Sequence, residues 1–166
     1  MHSKNNSHQT YELLHVSQQD LSNAAFFAEH LLSQGWHYEP WEIDWRMYLH
    51  QSAYVTSMVV AYCRPFAISR GNPKFPSKLL RVLDSEQKQL HERLLKLRHQ
   101  VYAHSEIALR KVRPVVFEGK PSATEVLPAM RFDRNELILI RQMITVISIE
   151  VQGKLESLSN ILANKT

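Results

Sequence analysis

The stretch DRNELILIRQMITVISIEVQGKLESL, Asp133 to Leu158, decides the fold. It opens with the pattern D-x-x-E, which is typical of a helix start because Asp133 and Glu136 can bond each other's backbone N–H groups. Apolar residues then recur every three or four positions, at Leu137, Ile140, Ile144, Ile147, Val151, Leu155 and Leu158. This spacing predicts one long helix with a stripe that faces a core.

Three apolar residues widen the stripe of this last helix, namely Ile138, Met143 and Ile149. A helix that is apolar on more than one side needs more than one neighbour. The last helix is therefore a first indication of a homodimer.

Two further helices are predicted in the first part of the chain. The first begins at Ser17 and stops at Gly35, since glycine is a natural helix terminator. The second runs from Trp41 to Arg64, with Pro40 suited to its first turn.

A third helix is predicted to begin at a cap formed by Asp84 or Ser85 and to continue to about His104. Its apolar stripe consists of Leu90, Leu94, Leu97 and Val101. Together with the last helix, these segments predict an all-α fold, an up-and-down helical bundle of four to five helices.

The remaining segments are predicted as a tail and an insert. Residues 1–12 are polar and predict a flexible tail, followed by one bundle domain over residues 13–163. Within the insert, Val112–Phe117 and Thr124–Leu127 are predicted as short strands joined by a turn at EGKPS. We therefore expect a short hairpin insert before the last helix.

The composition limits the partners and the compartment. The formal net charge of +4 and the pI near 9.3 permit a polyanionic partner without requiring one. The single Cys63 excludes an internal disulfide and fits a reducing compartment. The N-terminus has no apolar signal region, and no apolar run reaches membrane length. A cytoplasmic protein without a membrane partner is the resulting expectation.

The stretch KLRHQVYAHS, Lys96 to Ser105, carries the chemistry. Arg98 presents a planar donor fork that suits phosphate oxygens, and His104 can exchange a proton near neutral pH. An arginine and a histidine beside an RNA phosphodiester supply the two types of group, a charge stabiliser and an acid/base, that metal-independent cleavage through attack by the 2′-OH requires. The alternative is that both residues are ordinary helix-end charges, which the helix dipole favours.

The spacing of the two residues adds a geometric condition. Six residues at about 100° each place Arg98 and His104 about 120° apart around an ideal helix. They converge only if the helix loosens after Tyr102 or if a second helix completes the cleft. The second copy of a symmetric dimer would supply such a helix.

No metal or other cofactor is predicted. His91, His99 and His104 lack the i, i+4 spacing of a helical metal pair. The sequence also contains no Gly-rich phosphate loop.

The segment LRHQVYAHS resembles the motif of the HEPN superfamily (higher eukaryotes and prokaryotes nucleotide-binding domain). The motif is an Arg, a polar residue, several variable positions and a His, and these places are occupied by Arg98, His99 and His104. YCRPF, Tyr62 to Phe66, and the small-residue AHS further resemble HEPN-like domains of bacterial defence and toxin families.

The resemblance implies a dimeric bundle whose composite cleft cleaves RNA without a metal, as in toxins and abortive-infection effectors. It assigns phosphorane stabilisation to Arg98, acid/base chemistry to His104, and orientation or shared proton transfer to His99. An antitoxin or regulatory protein is then a further partner. Many toxin members carry a Tyr two residues after the His, where this chain has Glu106. Other members are non-catalytic modules that bind nucleotide, RNA or protein, which is the alternative function.

Several residues outside the motif are candidate RNA contacts. Arg64 is a phosphate contact if the end of the second helix meets the cleft, and Tyr102 is a stacking surface. The alternatives are a helix-end charge and a packing residue, respectively. Basic groups before and after the third helix border an RNA path or form ordinary surface charge. They are Lys74, Lys78 and Arg81 before it, and Arg110, Lys111 and Arg113 after it.

Three tryptophans crowd a short span before and within the second helix, at Trp36, Trp41 and Trp45. They either stack bases or fill a corner of the core, and the second interpretation is favoured.

Overall fold

The computed structural model describes residues 2–67, 73–99, 111–126 and 131–163. Within these ranges the chain forms four α helices, two short 3-10 helices and one two-stranded sheet. The α helices are α1 (His2–Ser33), α2 (Trp45–Cys63), α3 (Ser85–Leu97) and α4 (Arg134–Ala163). The 3-10 helices are Arg64–Phe66 and Ser77–Val82, and the strands are β1 (Lys111–Phe117) and β2 (Lys120–Val126).

Helix α1 packs along both α2 and α4 and carries one wall of the core. Its buried apolar residues recur at helical spacing and are Leu14, Leu21, Ala24, Ala28 and Leu31. An ion pair joins Glu29, late in α1, to Arg141, early in α4, so these helices run antiparallel. The ring of Tyr54 in α2 stacks on His30 with centroids 4.4 Å apart.

The first helix starts earlier than the sequence predicts. It begins at His2, so the predicted start at Ser17 is wrong, and the segment predicted as a flexible tail is helical from His2 onward. Ser17 does not act as a cap, because its buried hydroxyl donates to the carbonyl of Leu13, one turn earlier in the same helix, at 2.7 Å. Leu14 is fully buried, which extends the packed face upstream of the predicted start.

The connection from α1 to α2 is tied down by one buried amide side chain. Gly35 ends α1 with a φ of +65°, a conformation that glycine adopts without strain. Gln51 of α2 then accepts from the Tyr38 N–H at 2.8 Å and donates to the Tyr38 carbonyl at 2.9 Å. Asp44 caps α2, which begins at Trp45 rather than at the predicted Trp41.

Helix α3 begins as predicted. Asp84 is its N-cap, and its carboxylate accepts from the Gln87 N–H at 2.8 Å. The Gln87 side chain in turn accepts from the Asp84 N–H at 3.3 Å, which completes a capping box. The predicted continuation to His104 lies outside the described residues beyond His99.

The insert contains the predicted hairpin. β1 pairs antiparallel with β2, with Lys111 opposite Val126 and Phe117 opposite Lys120. The two-residue loop between them uses positive φ angles, 49° at Glu118 and 76° at Gly119, as tight hairpin turns require. The predicted turn residues Lys120 to Ser122 are part of β2.

Helix α4 begins at the predicted cap and supplies the opposite wall of the core. The carboxylate of Asp133 accepts from the backbone N–H of Glu136, and the carboxylate of Glu136 accepts from the backbone N–H of Asp133, each at 2.8 Å. All seven residues of the predicted stripe are buried. The fold class is therefore confirmed as an all-α helical bundle with a hairpin before the last helix.

None of the helices in the described ranges combines the length and the apolar character that crossing a membrane would need.

Replacing Asp84 with Ala removes the side-chain acceptor of the α3 capping box. We expect the free energy of unfolding to fall by about 1 kcal/mol, the usual contribution of an N-cap. Asp84→Asn is the matched control, because its amide oxygen still accepts the Gln87 N–H. Urea unfolding followed by circular dichroism measures both variants, and equal stability of Asp84→Ala and the parent would contradict the cap.

Candidate active site

A buried hydrogen bond holds α3 against α2 and α4. The Tyr62 hydroxyl lies 2.7 Å from Nδ1 of His91 and 3.4 Å from the sulfur of Met143. A hydroxyl has one hydrogen to donate and a thioether sulfur only accepts, so Tyr62 bonds both partners at once when Nδ1–H of His91 donates to the hydroxyl. The ring of Phe66 meets His91 edge to face at 4.8 Å. These contacts fix the position of α3 beside the C-terminal end of α2.

The groups in this cluster are held in their neutral forms. Desolvation by burial lowers the pKa of His91, and the nearby Glu92 carboxylate only partly opposes that effect. Burial also raises the pKa of the Tyr62 hydroxyl, and the neighbouring Cys63 adds to the shift. His91 therefore packs the helix interface as a neutral side chain.

Arg98 lies at the junction of α2 and α3. The backbone N–H of Arg98 donates to the carbonyls of Leu94 and Leu95, and Arg98 is thus the C-cap residue of α3. The Cys63 thiol donates to the same Leu94 carbonyl at 3.4 Å. Burial raises the pKa of Cys63 to about 12, while the positive charge of Arg98 acts to lower it. The half-buried Arg98 is therefore an electrostatic neighbour of a protonated, buried thiol.

His99 follows Arg98 and is exposed to solvent. The two residues lie in a π-type turn, which is wider than an α-helical turn and is often found at functional sites. The helix thus departs from ideal α geometry at the Arg98 position. The predicted loosening after Tyr102 lies outside the described residues, as do Tyr102, His104 and Arg110 themselves.

Arg64 lies next to Cys63 and so belongs to the same end of α2. Its guanidinium forms an ion pair with Asp20 of α1 at 3.3 Å, and the Arg64 side chain keeps an exposed fraction of 60%. The structure therefore brings Arg64 and Arg98 to one end of the bundle, with Arg64 partly neutralised. Lys111 is the first residue of β1.

Sequence reasoning missed two partners of these residues. Asp20 is 44 positions from Arg64, and His91 is 29 positions from Tyr62. Residues so far apart in the sequence form no spacing pattern from which the contact could be predicted. Only the packing of α1 and α3 against α2 reveals them.

The tryptophans do not fill a common core corner. Trp41 and Trp45 have exposed fractions of 79% and 60%. Trp36 alone is half-buried, with its ring 5.4 Å from those of His30 and Tyr54. The interpretation as core is wrong for Trp41 and Trp45, because Trp41 lies before α2 and Trp45, its first residue, is on the side of the helix that faces solvent.

The three residues that suggested a second neighbour for α4 differ in their exposure, and Ile138 is half-buried. Met143 is buried within this chain and contacts Tyr62. Ile149 is 63% exposed and lines an open groove of about 590 Å³ between α1 and α4. Ile144 also lines the groove, and small or polar residues such as Ser22, Ala25 and Ser148 form the rest of its wall. The indication of a homodimer therefore rests on Ile149 rather than on Met143.

Within the described residues, no group of three or more His, Cys, Asp or Glu side chains is arranged to hold a metal ion. No protein-family model matches the chain, and no curated protein or solved structure matches it either. The resemblance to the HEPN superfamily thus rests on the motif residues alone.

The neutral state of His91 predicts a pH-dependent stability. Its folded-state pKa lies below the ordinary value of 6.5, so the unfolded chain takes up the proton first as the pH falls. The contribution of neutral His91 to the free energy of unfolding is fully present above pH 6.5 and is lost as the pH falls toward the folded-state pKa. The slope contributed by His91 is at most about 1.4 kcal/mol per pH unit, the value for one proton.

Urea unfolding between neutral and mildly acidic pH measures this slope. In His91→Gln, which keeps a neutral polar group, the free energy of unfolding should fall less steeply with acidification than in the parent. Equal slopes in the two proteins would show that His91 does not stay neutral in the folded state.

Proposed function

We propose that this chain is a metal-independent endoribonuclease of a bacterial defence or toxin type, acting as a homodimer on RNA. The observation that carries the proposal is the position of Arg98 at the end of α3, with His99 exposed beside it in a π-type turn. A guanidinium at such a place can donate to two oxygens of one phosphate. The match of Arg98, His99 and His104 to the HEPN motif assigns the reaction.

The proposed reaction needs only side chains of this chain. The imidazole of His104 removes the 2′-OH proton, and the 2′ oxygen forms a bond to the adjacent phosphorus. Arg98 stabilises the charge on the phosphorane. The bond to the 5′ oxygen then breaks, and that oxygen receives a proton from the imidazolium of His104, with His99 orienting or sharing the transfer. The products are a 2′,3′-cyclic phosphate and a 5′-hydroxyl.

The neighbouring Cys63 is not the nucleophile. A pKa of about 12 leaves a negligible fraction of thiolate at neutral pH. Its sulfur is buried and bonded to the Leu94 carbonyl. The 2′-OH of the substrate is therefore the attacking group in this proposal.

A homodimer is proposed because a single copy of the chain supplies only one Arg98 and one His104. Two copies related by a two-fold axis would line one cleft with two of each. The exposed Ile149 supports self-association, since a large apolar side chain in an open groove gains from burial. The second copy, an RNA substrate and an antitoxin or regulatory protein are the proposed partners.

Arg98→Ala and His104→Ala should each abolish cleavage of total RNA and tRNA in buffer with EDTA. Removal of a single donor to a charged transition state usually costs 100-fold or more in rate. Arg46→Ala and His50→Ala on the exposed side of α2 are matched controls and should cleave like the parent. Sedimentation analysis should show the same dimer for every variant.

Unchanged cleavage by Arg98→Ala and His104→Ala would overturn the assignment. Intact RNA that nevertheless binds the folded parent would identify the chain as a non-catalytic RNA-binding module instead.

A further inference from the structure

The charges of this chain are distributed unevenly along the sequence. Twelve of the 20 Lys and Arg residues lie between Arg64 and Arg113, together with four of the 16 acidic residues. The first 63 residues contain two basic and six acidic residues. The modest net charge of +4 therefore conceals an acidic first part and a strongly basic middle part.

The second 3-10 helix, Ser77–Val82, displays two of these basic residues to solvent. Leu79 and Leu80 are half-buried against the core, which turns Lys78 and Arg81 outward. A 3-10 helix has three residues per turn, so side chains three positions apart lie on the same face. Lys78 and Arg81 thus present two adjacent positive charges.

Helix α3 carries two further exposed lysines before Arg98. Lys88 and Lys96 are exposed, and neither they nor Lys78 and Arg81 form an ion pair in the described part of the chain. Arg93 is different, because it pairs with Glu136 and packs over the ring of Phe132 at 5.2 Å. We call the four unpaired residues Lys78, Arg81, Lys88 and Lys96 the basic ridge.

Acidic residues on the same stretch do not cancel the ridge. Between Lys74 and Arg98 there are seven basic and three acidic residues. One of the acidic residues is Asp84, whose carboxylate is engaged in the capping box. The other two, Glu86 and Glu92, are exposed on α3, and Glu92 lies one helical turn from both Lys88 and Lys96. Because Glu136 also neutralises Arg93, the stretch keeps an excess of three positive charges.

We propose that the basic ridge binds the phosphate backbone of an RNA strand and leads it to Arg98. From Asp84 to Arg98 the helix rises about 21 Å, which is long enough to follow several successive phosphates. This inference rests on the proposed function in that the ligand is RNA. It does not depend on cleavage.

An RNA strand fits the ridge better than a membrane surface does. Along the 3-10 helix and α3, Val82 is the one exposed large apolar side chain, whereas a helix that lies on a bilayer inserts several such residues.

The salt dependence of RNA binding tests the ridge directly. The probe is a single-stranded 2′-O-methyl RNA, which binds as a polyanion but lacks the attacking hydroxyl. For single strands, the slope of log K against log salt changes by about 0.7 for each phosphate contact. The double variant Lys78→Gln/Arg81→Gln should therefore bind more weakly and show a slope shallower by about 1.4.

The matched control removes the same formal charge elsewhere. Arg46→Gln/Lys154→Gln alters residues of α2 and α4 outside the ridge and should keep the slope of the parent. A parental slope in the ridge variant, or the same loss in both double variants, would overturn the inference. Binding of the parent to phosphatidylserine vesicles but not to the RNA would overturn it as well.

These outcomes are separate from those of the proposed function. A shallower slope in the ridge variant without cleavage of ordinary RNA by the parent supports the ridge and rejects the ribonuclease. Cleavage by the parent with a slope that the ridge substitutions leave unchanged supports the ribonuclease and rejects the ridge.

Discussion

The buried hydrogen bond between Tyr62 and His91 is the interaction on which the candidate site depends. Helix α3 has only 13 residues and would be marginal in isolation. The bond of 2.7 Å, together with the ion pair between Arg93 and Glu136, fixes where α3 ends relative to α2 and α4. Because α3 is fixed in this way, Arg98 is held beside Cys63 and does not lie at a helix end that frays. A site for a phosphate needs such preorganisation, since a donor that must first be ordered contributes less to the transition state.

Local patterns predicted two of the three helix starts that have a side-chain cap. The capping residues of α3 and α4 lie three positions from the groups they bond, so both starts could be predicted from the sequence. Asp44 lies equally close to Met47, but the predicted start of α2 followed Pro40 instead. The hairpin was also predicted, because its turn contains Gly119. The start of α1 was wrong because Ser17, a typical cap residue, bonds within the helix instead. Its true start has no such signal, and packing of α1 against α2 and α4 extends the helix upstream.

The candidate site could be predicted in part. Arg98 and His99 directly follow Leu97, the last residue of α3, whereas the stripe predicted a helix to about His104, beyond the described residues. The pairing of Arg64 with Asp20 could not be predicted, because it depends on how α1 and α2 pack. The exposure of Trp41 and Trp45 was missed for a related reason. Residue type favours burial of tryptophan, but Trp41 lies before α2 and Trp45 begins it, and both side chains are exposed to solvent.

In the proposed reaction, RNA supplies the nucleophile and this chain supplies an arginine and histidines. It is tested most directly with an RNA oligonucleotide that carries one 2′-deoxy nucleotide at a mapped cleavage position, with product ends read by mass spectrometry in EDTA. The account predicts no cleavage at the deoxy position and a 2′,3′-cyclic phosphate at every position that is cleaved. Cleavage at the deoxy position, or products that carry a 3′-hydroxyl, would contradict it.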